Sequence, residues 1–287
     1  MNDSGTAQTT RASCWLCGAD AALDERYRSA ALYRCGACGF LFAPERSTTE
    51  LHELYTDDYF DDYTRGEAYT VDQAQRRFEA NLRISWVSGH VAGGRLMEVG
   101  AANGTFLRAA RDAGFDVFGI EPAPGLAQRA RELSGAEVAT GFIEDAELPD
   151  EPFDAICAWH VLEHIPKPQP SLQRLRRVVR DDGWLFLEIP NITSVRAQRK
   201  GTDWLPLDPE NHVGFYTPEQ LADVLGQAGF ELQEAHSVSA LSYYRPRLAL
   251  RPSALALRAY DTLTSRTLQS RPHPHKHELL RAVARPV

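Results

Sequence analysis

Long apolar runs are missing from this 287-residue sequence, and so is any surplus of positive charge. No stretch approaches the roughly 20 apolar residues that a bilayer-spanning helix needs. Met1 to Thr10 is polar and carries no apolar h-region, so a secretion signal is not expected and the protein is read as cytoplasmic, with no membrane partner. The formal net charge of −8 argues against a general nucleic-acid binder, because phosphate binding leans on basic surface. There is no internal repeat. The one biased tract, His273-Pro274-His275-Lys276-His277, reads as a solvated loop. A spread of cysteines that would form a disulfide framework is also lacking. What remains is an ordinary globular composition, 43% hydrophobic and 24% charged, long enough for a full core and a small second module.

Four of the five cysteines stand as Cys14-x2-Cys17 and Cys35-x2-Cys38. In a reducing compartment two such knuckles supply four thiolates to a tetrahedral metal. The spacing predicts a zinc ribbon with Cys14, Cys17, Cys35 and Cys38 as ligands. A closed four-ligand site implies structural zinc and no chemistry at the metal. The alternative, a pair of redox dithiols, lacks a βαβ setting. Cys157 lies in an apolar run and reads as core.

From Arg95 onward, apolar runs alternate with helical spacing. The pattern predicts strands at Leu96–Val99, Val117–Ile120, Ala136–Thr140, Phe153–Trp159 and Trp184–Ile189. It predicts helices through Phe106 and Leu107, over Leu126–Leu133, and after a cap at Ser171. Asp181-Asp182-Gly183 reads as a turn. Thr217-Pro218 opens a further helix, Phe230–Val238 reads as a sixth strand and Leu279–Ala284 as a last one. Such alternation implies a parallel sheet covered on both faces. The organisation expected is a disordered tail (1–12), the zinc module (13–45), a helical lid or extension (46–90), a nucleoside-binding domain (91–240), and a helical insertion with the last strand (241–287).

The most informative stretch is Glu98-Val99-Gly100-Ala101-Ala102-Asn103-Gly104, followed by Ile120-Glu121-Pro122 at the tip of the next strand. A Gly-rich turn lets backbone approach a ligand closely, and an acid one strand later accepts hydrogen bonds from ribose hydroxyls. NAD-binding folds share both features. The ordered set that follows resembles class I S-adenosylmethionine (SAM)-dependent methyltransferases instead: Phe153-Asp154-Ala155-Ile156, His160-Val161-Leu162-Glu163-His164-Ile165-Pro166, Trp184–Asn191 and Phe215-Tyr216-Thr217-Pro218. Within that group the ubiquinone-type and sugar methyltransferases are similar.

The resemblance implies a Rossmann-like α/β fold with a seven-stranded, mostly parallel sheet and one antiparallel strand near the C-terminus. It implies that Glu98, Gly100, Ala102 and Gly104 line the methionine and ribose part of SAM, with Ala102 replacing the family's middle glycine. Glu121 with Pro122 would hold the ribose, Phe142 and Ile143 would flank the adenine, and Trp159 would lie beside the cofactor. Tyr59, in a segment similar to the family's N-terminal lid, would face the sulfonium.

His160, Glu163 and His164 would share one face if a helical turn follows the fourth strand, and His212 could join them from the next loop. One reading makes a histidine the general base for a substrate hydroxyl. Another, drawn from resemblance to small-RNA and ubiquinone-type O-methyltransferases, places a second divalent metal at Glu163, His164 and His212. A third is structural. H-x-x-E-H also spells a protease motif, but Pro166, Pro168 and Pro170 end any helix that would carry it.

The expected reaction is methyl transfer from SAM to a hydroxyl of a sugar or natural-product precursor. Three alternatives stay open: sugar C-methylation, RNA methylation through the zinc module, and a SAM-binding assembly protein without turnover. Oligomeric state is not legible.

Overall fold

The computed structural model describes residues 11–44, 73–238 and 275–287. The lid with Tyr59, most of the N-terminal tail and nearly all of the 241–276 insertion lie outside the described residues. Four short strands open the chain: β1 (Arg11–Ser13), β2 (Asp20–Leu23), β3 (Tyr33–Cys35) and β4 (Leu41–Phe42). Arg11 and Ala12, expected in the disordered tail, therefore belong to a strand. Each Ala12 and Ala21 pair sits at the cysteine end of an antiparallel ladder, which extends the ordered module two residues upstream.

Helix α1 (Gln73–Ser88) leads into the main domain. There follow β5 (Gly94–Val99), α2 (Thr105–Asp112), β6 (Phe115–Glu121), α3 (Pro124–Ser134), β7 (Glu137–Thr140), β8 (Phe153–Trp159), α4 (Gln169–Val178) and β9 (Val179–Pro190). The chain closes with α5 (Val195–Lys200), β10 (Gly214–Phe215), α6 (Pro218–Gln227), β11 (Phe230–Val238) and β12 (Leu279–Pro286). Seven strands form one sheet in the order β11-β12-β9-β8-β5-β6-β7. The pairs β5–β6, β6–β7, β5–β8 and β8–β9 are parallel, while β12 runs antiparallel to both neighbours. This is the expected fold, including the single reversed strand.

The central strands are apolar on both faces because both are covered. Leu96 and Met97 point oppositely and are each 0% exposed. Chain order reverses between β6 and β8 around β5, which opens a ligand crevice at the carboxyl ends of β5 and β8.

Two local expectations are corrected. Ser171 is not a cap: α4 starts at Gln169, since Pro170 fits the first helical turn, and the Ser171 hydroxyl instead donates to Glu144. Asp181-Asp182-Gly183 is not a turn into a new strand. Phe153 pairs with Val179 and Ala155 with Trp184, so residues 180–183 bulge within one continuous β9. Arg180 binds Asp182 across that bulge. At α6 the reading holds: Thr217 and Gln220 form a reciprocal capping box ahead of Pro218.

The four cysteine-module strands do not form a sheet alone. β10, from the loop after β9, is their fifth strand, in the order β1-β2-β3-β4-β10.

Candidate active site

The donor crevice is built on the turn between β5 and α2. The N–H groups of Gly100 and Ala101 both donate to the Ile120 carbonyl at 2.9 Å, which locks the turn onto the end of β6. Gly100, Ala102 and Gly104 all have positive φ, +73°, +47° and +80°. A Cβ on Gly104 would lie 2.7 Å from Ala130 Cα, so glycine lets the start of α2 meet α3. Ala102 keeps the left-handed backbone although it is not glycine, at a cost of about 1 kcal/mol.

Glu121 explains why that strain is tolerated. Its Oε2 accepts the Ala102 N–H at 2.7 Å and its Oε1 accepts the Ala123 N–H at 3.0 Å. The carboxylate, 2% exposed, thus stitches the turn to the end of β6. Glu98 lies beneath the turn, buried. Burial, reinforced by the Glu121 charge and opposed by Arg83 and the Leu107 N–H, pushes its pKa well above the usual carboxylate range. Its Oε2 has no hydrogen-bond partner among the described residues. A cradle closed by glycines, an acid at the neighbouring strand tip and an orphaned buried carboxyl oxygen fit the nucleoside and amino-acid ends of SAM.

The remaining predicted cofactor residues divide. Gly141 donates to the Glu121 carbonyl at 3.0 Å, which brings the turn before Phe142 to the end of β6, where Pro122 follows Glu121. Ile143 is a core residue, 4% exposed. The Trp159 indole packs 5.1 Å from Phe106 and 6.0 Å from Trp86, with Arg83 5.3 Å over its face. Its Nε1 is buried and unpartnered among the described residues.

On the acceptor side the histidines do not share one helical face. Only a single 3-10 turn, Leu162–His164, follows β8, and His160 precedes it at φ +56°. That backbone lets the His160 N–H donate to the Glu188 carbonyl at 2.8 Å and turns its ring between two carboxylates. Nδ1 lies 3.1 Å from Glu163 Oε1, and Nε2 lies 3.4 Å from Glu188 Oε1. Burial opposes protonation, but the two carboxylates outweigh it and raise His160 to about 9. Burial likewise works against the Glu163 charge, yet the His160 hydrogen bond and charge hold that carboxyl below its ordinary value.

His164 and His212 form the other half, with ring centroids 4.7 Å apart at 74°. Nδ1 of His164 lies 2.8 Å from the Asn211 carbonyl, and Nδ1 of His212 lies 2.7 Å from the Pro206 carbonyl. A carbonyl only accepts, so each Nδ1 is the protonated nitrogen and each neutral ring presents Nε2 as its lone pair. Burial lowers His164 to about 4, against the pull of the Glu163 charge. One ligand atom from each of Glu163, His164 and His212 falls within 4.8 Å of the others, and Glu163 Oε2 is buried without a partner among the described residues. The Tyr216 hydroxyl nearby is also unpartnered, and burial with the Glu163 charge pushes its pKa up.

Three residues of this network were not legible beforehand. Glu188, 0% exposed, accepts from Arg83 Nη2 at 2.6 Å and from Arg281 Nε at 2.7 Å. A lone acid in the apolar run Trp184–Ile189 was the available signal. Its partners, 105 and 93 residues away, follow only from the fold.

In the cysteine module, Sγ atoms stand 3.6 Å (Cys14–Cys38), 3.5 Å (Cys17–Cys35) and 3.6 Å (Cys17–Cys38) apart, and all four lie within 4.8 Å of one another. A tetrahedron with zinc–sulfur bonds of about 2.3 Å has edges of about 3.8 Å. The Ala37 and Cys38 N–H groups point at Cys35 Sγ, both at 3.4 Å. This donor set fits zinc.

A family model described as a methyltransferase domain matches residues 73–235. Two relatives named "Ubiquinone biosynthesis O-methyltransferase" are similar. The one from Xylella fastidiosa is 31% identical over 178 residues, 56% of this chain and 70% of that protein. The one from Bordetella avium is 28% identical over 165 residues, 52% of this chain and 68% of that protein. The fold is similar to magnesium protoporphyrin IX methyltransferase from Synechocystis, solved with bound S-adenosylhomocysteine (SAH), at TM-score 0.56 and 12% identity, covering 84% of this chain and all (100%) of that one. Among the described residues no helix is long and apolar enough to cross a membrane.

Proposed function

Because this chain belongs to the methyltransferase-domain family of class I SAM-dependent enzymes, we propose that it methylates a hydroxyl oxygen of a small molecule. SAM, when bound, supplies an electrophilic methyl group on a sulfonium. The protein's part is to orient and to move a proton. The Gly100–Gly104 turn and Glu121 hold the nucleoside end. The acceptor hydroxyl would lie toward His212, whose Nε2 would take its proton as the oxygen gains the methyl group and the methyl–sulfur bond breaks, leaving SAH as a neutral thioether. The Pro206 carbonyl fixes the required tautomer, and the buried Glu163 carboxylate stabilises the imidazolium that forms. His164, lowered to about 4, stays neutral at pH 7 and adds no charge against that proton. His160 sits between two carboxylates as an imidazolium and is a poor candidate for the base.

The observation that carries this reading is the pinning of both Nδ1 atoms to backbone carbonyls. Oxygen as the accepting atom is further supported by the relatives' names. For the acceptor we favour a sugar or natural-product precursor over a quinone precursor, because a cysteine module with this layout resembles enzymes acting on sugars. Cys14, Cys17, Cys35 and Cys38 would hold structural zinc.

The orphaned Glu163 Oε2 favours one further reading. Glu163, His164 and His212 would hold a divalent cation, which would lower the hydroxyl's pKa. The test is His212→Ala and His164→Ala, assayed on a panel of hydroxylated sugars and phenols, with SAH affinity by calorimetry. Turnover should fall roughly 10²–10⁴-fold at unchanged SAH affinity. Wild-type rates in both variants would remove the pair from the reaction. Activity lost to EDTA and restored by a divalent salt would select the metal reading.

A further inference from the structure

The histidine pair rests on a loop whose support comes from the other end of the chain. Both carbonyls that pin the imidazoles, Pro206 and Asn211, belong to residues 204–213. The apolar side chains of that stretch, Trp204, Leu207 and Val213, pack with Phe215 against Tyr27, Leu32 and Leu41 of the cysteine module. Trp204 and Leu207 flank Pro206, so the module's core lies directly behind the carbonyl that holds His212.

Backbone pairing makes the link tighter. Gly214 pairs with Phe42 and Phe215 with Leu41, in register. Val213, the residue after His212, is held from both sides. Its carbonyl accepts the Ala43 N–H at 2.8 Å, and its own N–H donates to the Glu163 carbonyl at 2.7 Å. One residue therefore joins the module to the turn that carries Glu163 and His164. A second tie leaves from a cysteine itself: Gln220 Nε2, in the capping box of α6, donates to the Cys38 carbonyl at 2.9 Å.

The module is small, and a unit of this size without a metal rarely keeps a packed fold. Its β3–β4 hairpin is closed at the cysteines, with Cys35 N–H on the Phe40 carbonyl at 2.9 Å and Gly39 N–H on the Cys35 carbonyl at 3.1 Å. Metal in the cysteine cluster fixes this hairpin, and the hairpin is what β10 pairs with.

We propose that the four-cysteine module is a positioning element of the acceptor site: through β4–β10 pairing and the two backbone bonds of Val213 it sets the placement of His212 and His164. It acts through the 204–213 loop and touches no reacting atom. Among the described residues the donor turn, built from β5, β6 and α2, has no backbone pairing with the module, with which it shares an apolar core around Phe40, Val99 and Ile120, so the larger effect falls on the acceptor side. This inference rests on the proposed role of the histidine pair, and its readouts need neither an acceptor nor turnover.

The experiment uses the full chain, zinc-loaded, in complex with SAH. Zinc is stripped with a mercurial and a colorimetric chelator, and its loss is measured by elemental analysis. The ring nitrogens of His164 and His212 are followed by ¹⁵N NMR, assigned with His164→Gln and His212→Gln. Amide exchange is followed over 204–216. On zinc loss we expect both imidazole signals to move and exchange at 211–216 to rise at least about tenfold, with SAH affinity kept within about threefold. Unmoved imidazoles in the zinc-free protein would overturn the proposal, and so would parallel loss of SAH binding.

If stripping zinc unfolds the chain, Ala43→Pro decides. It deletes the one N–H donated to Val213 and leaves the cysteines in place. Zinc-loaded Ala43→Pro should show the same imidazole displacement, and wild-type signals in it would overturn the proposal. Displaced imidazoles together with wild-type turnover in His212→Ala would support the coupling and remove only the proposed function.

Discussion

Replacing Glu121 by glutamine isolates the residue on which the donor crevice depends. In the wild type its two oxygens accept backbone N–H groups from Ala102 at 2.7 Å and Ala123 at 3.0 Å while the side chain is 2% exposed. Hydrogen bonds to a charged acceptor contribute about 1.5–3 kcal/mol each. The amide of glutamine retains one acceptor and sets an NH₂ against the other N–H, so one such bond is replaced by two facing donors. If Glu121 also holds the ribose hydroxyls as proposed, the same exchange costs them a charged acceptor, worth about 1.5–3 kcal/mol again, or roughly a 10- to 150-fold weaker SAH complex. The free protein should also lose stability, because Ala102 is held at φ +47° with its N–H on the Glu121 carboxylate. The assay is calorimetric titration of SAH into wild type and Glu121→Gln, with thermal unfolding of both. An SAH affinity within about twofold of wild type would refute the placement of the ribose.

Other perturbations have defined outcomes. Gly104→Ala drives a Cβ to 2.7 Å from Ala130 Cα and 2.8 Å from its carbonyl oxygen, both backbone atoms, at a residue with φ +80°. It should destabilise by more than about 2 kcal/mol in urea titration, and a loss below about 0.5 kcal/mol would contradict the packing described. Arg281→Met leaves the buried Glu188 with one guanidinium fewer and should cost about 3 kcal/mol by the same measurement, with Glu188→Gln in the same chain recovering part of it. In metal-free protein, stability should peak near pH ~6.5. His160, raised to about 9 by Glu163 and Glu188, stabilises below its unfolded value of ~6.5 and loses that contribution as pH rises toward 9. His164, lowered to about 4 by burial, stabilises above ~6.5 and loses its contribution as pH falls toward 4. Thermal midpoints against pH should show both limbs, and an alkaline limb unchanged in His160→Gln would remove His160 as its source.

The centre of the sheet was legible because its strands are buried on both faces and read as apolar runs, as at Leu96–Val99 and Phe153–Trp159. The reversed last strand came from family resemblance, not from spacing. The donor turn was legible too, since glycines at 100 and 104 and the acid at 121 declare a backbone requirement. The division among the histidines was not. A helical turn after Trp159 was assumed, whereas a left-handed His160 followed by a short 3-10 turn aims His160 at Glu188 and His164 at His212. Nor could spacing reveal β10, a two-residue strand whose partner lies over 170 positions upstream. Pairing at that range depends on the folded surface and leaves no local periodicity.

That two-residue strand also bears on how the protein can be shortened. A chain begun at α1 would look like a self-sufficient catalytic domain, yet it would bare the ladder edge of Gly214 and Phe215, the Trp204 ring that packs with Tyr27 and Leu41, and the Tyr216 ring that packs on Phe40. Edges and rings of that kind solicit neighbours, so such a truncation should come out of cells as aggregate, and its insolubility would say nothing about whether the remaining enzyme is sound.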